Sequence, residues 1–216
     1  MTADLFATLP PQRHDEVIAP GAMLLHAFAF AQADALLSAL LAVTQSAPLR
    51  HMQTPGGYSM SVAMSNCGAA GWITDEQGYR YATHDPLSAK PWPAMPALFQ
   101  QLAYDAAQAA GFTDFAPDAC LINRYEPGAH MSLHQDRNER DMAAPIVSVS
   151  LGVPATFLFG GLTRSERPAR HRLQHGDVVV WGGPSRLAFH GVAPVAHQHH
   201  PATGEYRYNL TFRKAT

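Results

Sequence analysis

Short apolar segments alternate with turn residues in the second half of the chain, and this pattern limits the folds that the chain can adopt. The segments are of strand length, and many of their residues are β-branched or aromatic. They span residues 119–125, 146–151, 156–159, 171–173, 177–181, 187–190 and 206–213. Turn signals separate them, for example Pro127-Gly128, Gly160-Gly161 and Gly182-Gly183-Pro184. Many short strands at this spacing indicate a sandwich, a barrel or a jelly roll.

Two amphipathic helices are predicted in the first half. One covers residues 31–46 and carries an apolar stripe of Leu36, Leu37, Leu40 and Leu41. The other begins near Pro96 and stops at Gly111. Residues 23–28 are expected to form a short strand. Residues 1–18 contain Pro10-Pro11 and little periodicity, so we expect a flexible N-terminal arm there and a single domain over residues 19–216.

Composition restricts the function classes. A chain of 216 residues suits one domain, and a formal charge of -2 with a pI near 6.6 excludes a generally basic nucleic-acid binder. Any nucleic-acid surface must therefore be a local patch. Cys67 and Cys120 have no disulfide-framework spacing, and neither a signal peptide nor a membrane span is recognisable. We expect a cytoplasmic protein and, because no long apolar stripe is left over, a monomer.

A His-x-Asp pair, His134 and Asp136, is the first candidate for chemistry. In an extended segment these two side chains point to the same side and can share one metal ion. A facial triad of two histidines and one carboxylate, which leaves open positions on a non-haem iron, needs a third ligand, and His190 is the candidate. A second pair, His175 and Asp177, precedes an apolar run and is interpreted as a turn.

The last predicted strand alternates polar and apolar residues. Arg207, Asn209, Thr211 and Arg213 share one face, and Tyr208, Leu210 and Phe212 share the other. If the polar face points inward it forms an anion site, since arginine matches a carboxylate with two parallel hydrogen bonds. Asn123 and Tyr125 are also two residues apart and can contact the same anion. The alternative is an exposed strand face.

Taken together in this order, these residues resemble the AlkB family of alkylation-repair dioxygenases. The resemblance extends from about residue 21 to residue 213, and it includes the specific stretches 54–58 (TPGGY), 117–125 (PDACLINRY) and 176–183 (GDVVVWGG). It implies an α+β, mainly β fold, a double-stranded β-helix (jelly roll) with N-terminal helices packed against it, and a nucleotide-recognition lid at about residues 50–92. It also implies Fe(II), with 2-oxoglutarate and O2 as co-substrates, and oxidative demethylation of N-alkylated bases in DNA, preferably single-stranded, and in RNA as a second possible substrate.

The resemblance also assigns roles to individual residues. The metal ligands, which are the catalytic set, fall on His134, Asp136 and His190, and the 2-oxoglutarate contacts fall on Asn123, Tyr125, Arg207, Asn209 and Arg213. Trp72 matches the aromatic that holds the flipped base against His134. Other pocket-wall positions fall on Tyr79, Met64 and Ser61, and positions that hold the substrate backbone fall on Thr54, Tyr58 and Arg164. Asn138 stands where the family usually has an acidic residue, which predicts a weaker preference for cationic bases.

The residues of the predicted lid and of one basic segment are consistent with a nucleic-acid substrate. Glycines punctuate a region that bears Tyr58, Trp72, Tyr79 and Tyr81, as an aromatic flap for unstacked bases requires. Arg164, Arg167, Arg170 and Arg172 lie within nine positions, as a phosphate-contacting stripe would. Aromatics that only cover the core and a solvated basic loop are the alternatives. The histidines of residues 197–200 are interpreted as a solvated loop.

Two other functions fit the same residues. A dioxygenase for a small molecule or a protein side chain would use the same iron site, and the arginine stripe would then be incidental. A non-catalytic metal-binding jelly roll would need neither the stripe nor the arginine strand. Turnover of 2-oxoglutarate that is stimulated by a methylated oligonucleotide distinguishes the three.

Overall fold

The computed structural model describes residues 12–216 and consists of fourteen strands, two α-helices and two short 3-10 turns. The helices are α1, Ala33–Ser46, and α2, Ala97–Ala109; the 3-10 turns are Phe30–Gln32 and Gly183–Ser185. The strands are β1 His14–Ala19, β2 Ala22–His26, β3 Arg50–Gln53, β4 Ser59–Gly68, β5 Gly71–Asp75, β6 Gly78–Ala82, β7 Ala119–Tyr125, β8 Met131–His134, β9 Ile146–Gly152, β10 Ala155–Phe159, β11 Ala169–Leu173, β12 Val178–Trp181, β13 His190–Val192 and β14 Arg207–Arg213.

Two antiparallel sheets form the core of the fold. The major sheet has eight strands in the order β1-β2-β12-β9-β14-β7-β4-β3, and the minor sheet has four in the order β11-β10-β13-β8. Strands β5 and β6 form a separate hairpin, which we call the flap. The two facing sheets agree with the predicted jelly-roll core and with the mainly β class.

Alternation along the major-sheet strands builds the two sides of the core. In β12, Val178 and Val180 belong to the cluster on the helix side of the sheet, together with the α2 residues Phe99 and Leu102. Val179 and Trp181, which alternate with them, belong to the cluster between the two sheets, which includes Phe157 and Phe159 of β10. The helices therefore cover one face, and the minor sheet covers the other. This leaves the polar residues of β9 and β14 inside, between the sheets.

Three boundaries differ from the sequence predictions. Residues 14–18 are not a flexible arm, because β1 pairs with β2 from His14↔His26 onward; its exposed edge position leaves no apolar periodicity to detect. The rest of the predicted arm, residues 1–11, lies outside the described residues. The strand expected at 187–190 begins only at His190, since the residues before it follow the turn Gly183–Ser185. Strand β8, which carries His134, was not predicted as a strand.

The predicted lid at residues 50–92 is also divided. Strand β4 pairs with β7 from Ala63↔Arg124 to Gly68↔Ala119, and β3 pairs with β4, so both belong to the major sheet. The flap, Gly71–Ala82, is the part that lies outside both sheets. Its base is held by Asn66, whose side chain bonds both backbone groups of Trp72, at 2.9 and 3.0 Å.

Neither helix within residues 12–216 combines the length and the apolarity that crossing a membrane requires.

Candidate metal centre and co-substrate site

His134, Asp136 and His190 come together at the end of the minor sheet. His134 and His190 lie directly opposite each other on β8 and β13, and Asp136 follows β8 by two residues. One potential ligand atom from each residue lies within 4.8 Å of the others. The predicted third ligand is therefore confirmed, and no other set of three such groups meets this criterion in residues 12–216. Nε2 of His134 and His190 lie 3.8 and 3.7 Å from the Asp136 carboxylate.

Both histidines are oriented through their other ring nitrogen. Nδ1 of His134 donates to the carbonyl of Ser132 at 2.9 Å, and Nδ1 of His190 donates to that of Ala188 at 3.0 Å. These bonds leave both Nε2 atoms as acceptors, which is the form that a metal requires. The His134 side chain is 37% exposed, whereas that of His190 is 6% exposed, so the site opens to solvent beside His134.

The charges of the site also suit metal ligation. Burial, together with the neighbouring His134, lowers the pKa of His190 to about 3, so its imidazole is neutral. Burial alone would raise the pKa of Asp136, but Arg213 and the two histidines outweigh it and hold that pKa well below its usual range. The triad therefore presents a neutral imidazole at His190 and a carboxylate at Asp136.

A buried network lies behind Asp136. Arg213 donates to Oδ2 of Asp136 at 2.9 Å from Nε and at 2.6 Å from Nη2, and its Nε also lies 3.4 Å from Glu139. Glu139 pairs with Arg186 at 3.2 Å, and Arg186 donates to the backbone carbonyl of Asp136 at 2.7 Å. Two carboxylates are thus balanced by two guanidiniums, as buried charges require.

The flap is connected to this network through one side chain. The hydroxyl of Tyr81 donates to Glu139 at 2.6 Å. Burial raises the pKa of Tyr81 well above its ordinary value, so the hydroxyl keeps its proton and remains a donor. The position of the flap is therefore linked to the residues that hold the metal ligand Asp136.

A polar pocket wall lies next to the triad on β7 and β14. The structure buries all the polar residues predicted on these strands: Asn123, Tyr125, Arg207, Asn209, Thr211 and Arg213 are each between 1% and 6% exposed. Asn209 accepts from Nδ2 of Asn123 at 3.1 Å and donates to Ser148 at 2.8 Å. The exposed-face alternative for β14 is therefore wrong.

Arg207 is the least satisfied group of this wall. Its Nη2 donates to Ser150 at 3.1 Å, and Cζ lies 4.7 Å from the centre of the Tyr125 ring. Its Nε and Nη1, and Oδ1 of Asn123, are buried without a partner in the described part of the chain. Because a buried guanidinium with free donors is costly, this is where an anion fits. The donor set suits a carboxylate of 2-oxoglutarate.

Residues predicted to contact the substrate are distributed over and around the flap. The rings of Trp72 and Tyr79 stack, with centroids 5.7 Å apart and planes at 22°. Tyr58 is 78% exposed at the tip of a turn that Thr54 stabilises, since the Thr54 hydroxyl accepts from the Tyr58 amide at 3.2 Å. Arg164 is exposed and donates to the carbonyl of Leu133 at 2.6 Å, beside His134. Of these positions, Arg164 lies next to the exposed triad residue His134.

Three further predicted positions differ from the expected surroundings. Met64 is fully buried in the core between the sheets, so it does not line an open pocket wall in this structure. Ser61 accepts from the amide of His130 and donates to its carbonyl, at 3.1 and 3.0 Å, and so joins β4 to the segment before β8. Asn138 is exposed and lines a cavity of about 300 Å³ that Tyr79, Tyr81 and Arg140 also border.

The second His-x-Asp pair is structural, as predicted. Asp177 accepts from the amides of Ala27 and Gln174 at 2.8 and 2.7 Å, and Nδ1 of His175 accepts from the amide of Gly152 at 2.8 Å.

Sequence reasoning missed Glu139, Arg186, Ser148 and Ser150. The two serines alternate with apolar residues along β9, and this alternation is a signal that points to an inward polar face. Glu139 and Arg186 lie in irregular segments 47 residues apart and gave no such signal.

Comparisons with known proteins agree with this geometry. The family model of the 2OG-Fe(II) oxygenase superfamily matches residues 21–213. The alpha-ketoglutarate-dependent dioxygenases AlkB of Salmonella typhimurium and Escherichia coli are 59% and 57% identical over 212 residues, which are 98% of this chain and 97% of each relative. The structure of OsALKBH1 superimposes with a TM-score of 0.81 at 28% identity and covers 93% of this chain and 100% of that one. The chain therefore belongs to the AlkB family of iron(II)- and 2-oxoglutarate-dependent dioxygenases.

Proposed function

We propose that this enzyme oxidatively demethylates N-alkylated bases in nucleic acids, with single-stranded DNA as the preferred substrate, and so repairs alkylation damage. The observation that carries the proposal is the combination of an iron-type triad, a buried arginine with free donors on the polar wall, and an aromatic flap that Tyr81 links to the network behind Asp136. A dioxygenase needs the first two. The stacked aromatics of the flap suit a base that has left its strand.

The protein's part in the reaction is to bind and orient. When bound, iron and 2-oxoglutarate would supply an oxidation in which 2-oxoglutarate loses CO2, one atom of O2 enters the resulting succinate and the other hydroxylates the N-methyl group, which then leaves as formaldehyde. His134, Asp136 and His190 hold the metal. Arg213 fixes the carboxylate of Asp136 in one orientation, and Arg186 fixes the backbone of the same residue.

We assign 2-oxoglutarate to the wall formed by Asn123, Tyr125, Arg207, Asn209 and Arg213. The free donors of Arg207 support its role at the carboxylate distant from the metal, because Arg213 is already engaged by Asp136. Burial lowers the pKa of Arg207 from its ordinary value, and a bound carboxylate would offset the cost of burying this cation.

We place the flipped base between Trp72 of the flap and His134, the exposed member of the triad. Tyr79 extends the aromatic surface through its stack on Trp72. Tyr58 and Arg164, both exposed, lie where they can contact the flanking backbone. Ser61 acts on the pocket indirectly in this proposal, since it holds the segment that leads into β8.

Alkylated DNA is the partner we propose, with RNA as a second substrate. We also propose that the protein is a monomer. We place it in a reducing compartment such as the cytoplasm, because Cys67 and Cys120 are buried and unbridged.

The test is turnover of 2-oxoglutarate by the iron-loaded enzyme with and without an oligonucleotide that carries 1-methyladenine or 3-methylcytosine. Formaldehyde release that depends on the methylated base and is matched by succinate supports the proposal. Turnover that the oligonucleotide does not stimulate favours a small-molecule or protein side-chain substrate. Metal binding without any turnover favours a non-catalytic jelly roll.

A further inference from the structure

A row of four exposed arginines runs from the loop between β10 and β11 along β11 itself. It consists of Arg164, Arg167, Arg170 and Arg172, and we call it the arginine row. Arg50, Arg80, Arg124, Arg186, Arg213 and Lys214 each pair with a carboxylate at 3.4 Å or less. Within residues 12–216 no carboxylate lies within ion-pair distance of any member of the row. Its charge is therefore uncompensated in a chain whose formal net charge is -2.

The one acidic residue of this segment is engaged within its own loop. Glu166 accepts from the hydroxyl and the amide of Thr163, at 2.5 and 3.2 Å. Its carboxylate lies in the space next to Gly161 where a Cβ would be. Glu166 thus forms hydrogen bonds within its own loop, and the four arginines remain available to an external anion.

Strand β11 directs two of these arginines to the outer face of the minor sheet. Arg170 lies opposite Leu158 and Arg172 opposite Thr156, whereas His171 lies opposite the buried Phe157. Directly opposite residues point to the same side, so the two arginines face outward. They are separated by two residues of strand, about 6.6 Å, so the two guanidiniums are close enough to contact neighbouring phosphates of one strand.

The row starts at the opening of the metal site. Arg164 donates to the carbonyl of Leu133, next to His134, and its Cζ lies 5.5 Å from the centre of the Phe189 ring, next to His190. From β8, which carries His134, to β11 there are three strand-to-strand steps, or about 14 Å. At about 3.4 Å per nucleotide, that distance corresponds to roughly four nucleotides.

We propose that the outer face of β11 is a second backbone-binding surface, on which Arg170 and Arg172 contact phosphates of the target strand about four nucleotides away on one side of the flipped base. The proposal rests on the proposed function and extends it from the flipped base to the length and polarity of the bound strand. Arg164 connects the two surfaces, and Arg167 lies between them in the loop.

The experiment compares wild type with Arg170→Ala/Arg172→Ala by fluorescence anisotropy, with Mn(II) in place of iron to prevent turnover. Three methylated single strands are used: a trinucleotide, one with eight additional nucleotides only on the 5′ side, and one with eight only on the 3′ side. We expect the double variant to bind one of the two longer strands about tenfold more weakly and the other two strands within twofold of wild type. For the affected strand, the slope of log affinity against log salt should fall by about 1.4, since two phosphate contacts on a single strand contribute about 0.7 each.

Arg13→Ala, which removes an exposed cation outside both the row and residues 50–92, is the matched control and should change none of these values. An equal loss on all three strands, or no loss on any, overturns the proposal. Unchanged affinity together with new self-association of the double variant also overturns the proposal. The arginines would then serve only to prevent the exposed edge of β11 from pairing with a strand of another molecule.

Failure of the proposed function gives a different result. In that case wild type would not distinguish the methylated trinucleotide from the unmethylated one, whereas an unmodified long strand would still bind with a salt slope that the double variant reduces. If wild type binds the unmodified long strand, and the substitutions do not change the slope of log affinity against log salt for that strand, the proposed backbone-binding surface on β11 is contradicted.

Discussion

Arg207 and Arg213 lie on the same face of β14 but have different neighbours, and this difference separates their roles. Arg213 is shared between Asp136 and Glu139, and these carboxylates raise its pKa above the ordinary value even though burial opposes this. Within residues 12–216, Arg207 donates to Ser150 and packs on the Tyr125 ring, and its Nε and Nη1 are buried without a partner. Arg213 therefore holds a metal ligand, and Arg207 is free to bind an anion.

Arg207→Ala should weaken binding of 2-oxoglutarate by roughly tenfold to a hundredfold, because a charge-assisted contact to a carboxylate contributes about 1.5–3 kcal/mol. Arg213→Ala should instead weaken metal binding, since Asp136 loses its partner. Titrations of Mn(II), and of 2-oxoglutarate at saturating Mn(II), measure the two effects separately. Arg207→Lys is the matched control, which keeps the positive charge but loses the planar guanidinium that can donate two parallel hydrogen bonds. Equal 2-oxoglutarate affinity in wild type and Arg207→Ala contradicts the assignment.

His134→Ala, Asp136→Ala and His190→Ala should each lose more than about a hundredfold in iron affinity, more than the loss typical of outer-shell changes, while the thermal unfolding temperature changes little. The physical reason is that two ligands hold iron poorly at an open site. Iron content after dialysis is the measurement. His197→Ala, in an exposed loop, is the control. Full iron content in any triad variant would remove that residue from the ligand set.

Asn138→Asp should increase selectivity for a cationic lesion over a neutral one by up to about tenfold, because a new carboxylate favours the positive charge but is partly offset by desolvation. The neighbouring Arg140 borders the same cavity and limits the gain. Competition between strands that carry 3-methylcytosine and a neutral methylated base gives the ratio. If the ratio does not change, the discrimination comes from aromatic faces through cation–π attraction.

At the scale of elements, the flap is a two-stranded hairpin, which is marginally stable unless it is anchored. Asn66 holds the backbone of Trp72, the indole of Trp92 donates to the carbonyl of Ala82 at 2.8 Å, and Tyr81 bonds Glu139. The anchors lie along the hairpin and leave Trp72 and Tyr79 to form the aromatic surface. The flap is thus held by polar contacts together with Ile73, which is buried in the cluster between the sheets.

Trp72→Ala should weaken binding of a methylated oligonucleotide by about 1–3 kcal/mol, the contribution of one base stack, and leave binding of 2-oxoglutarate unchanged. Anisotropy and co-substrate titration on the same preparations measure both. Tyr104→Phe, on the exposed side of α2, is a neutral control. Loss of 2-oxoglutarate binding together with a lower unfolding temperature would show that Trp72 supports the core instead.

At the scale of the whole molecule, Asp118 ties the residues after β14 to the segment that enters β7. It accepts from Lys214 at 2.9 Å and from the amides of Ala215 and Thr216 at 2.6 and 3.1 Å. Burial tends to raise the pKa of Asp118, but these donors outweigh it, and the pKa lies below its ordinary value. The carboxylate form therefore stabilises the fold next to Arg213.

Asp118→Asn should lower the free energy of unfolding by about 1 kcal/mol at neutral pH, a value reduced to allow for the solvent exposure of the pair. A depressed folded-state pKa contributes stability above the unfolded pKa of about 3.9, and this stability is lost as pH falls through the folded-state value. In urea unfolding from about pH 7 to pH 3, the free energies of unfolding of wild type and Asp118→Asn should therefore converge in acid. Asp15→Asn, in exposed β1, should show no such difference. A constant gap at all pH values would exclude the titration as its cause.

Local patterns in the sequence were sufficient for several elements of the fold and site. The 3.6-residue stripes placed α1 and α2, and the period of two in β14 predicted that Arg207, Asn209 and Arg213 share one face, which the structure shows to point inward. The spacing of His134 and Asp136 predicted that they act together. These predictions are correct because each depends on residues that are close in sequence, where backbone geometry alone sets the relative direction of the side chains.

The sequence by itself therefore determined the strand-rich class, the two helices and the polar residues available for chemistry, whereas the tertiary structure decided their partners. Only the pairing of β8 with β13, in the register His134↔His190, brings the third ligand His190 close to the other two ligands. Only folding places Glu139 between Tyr81 and Arg213. The division of residues 50–92 into two major-sheet strands and a flap likewise depends on the pairing of β4 with β7. The physical reason is that a local pattern sets the direction of a side chain, while the identity of its neighbour depends on distant segments that meet only when the sheets close.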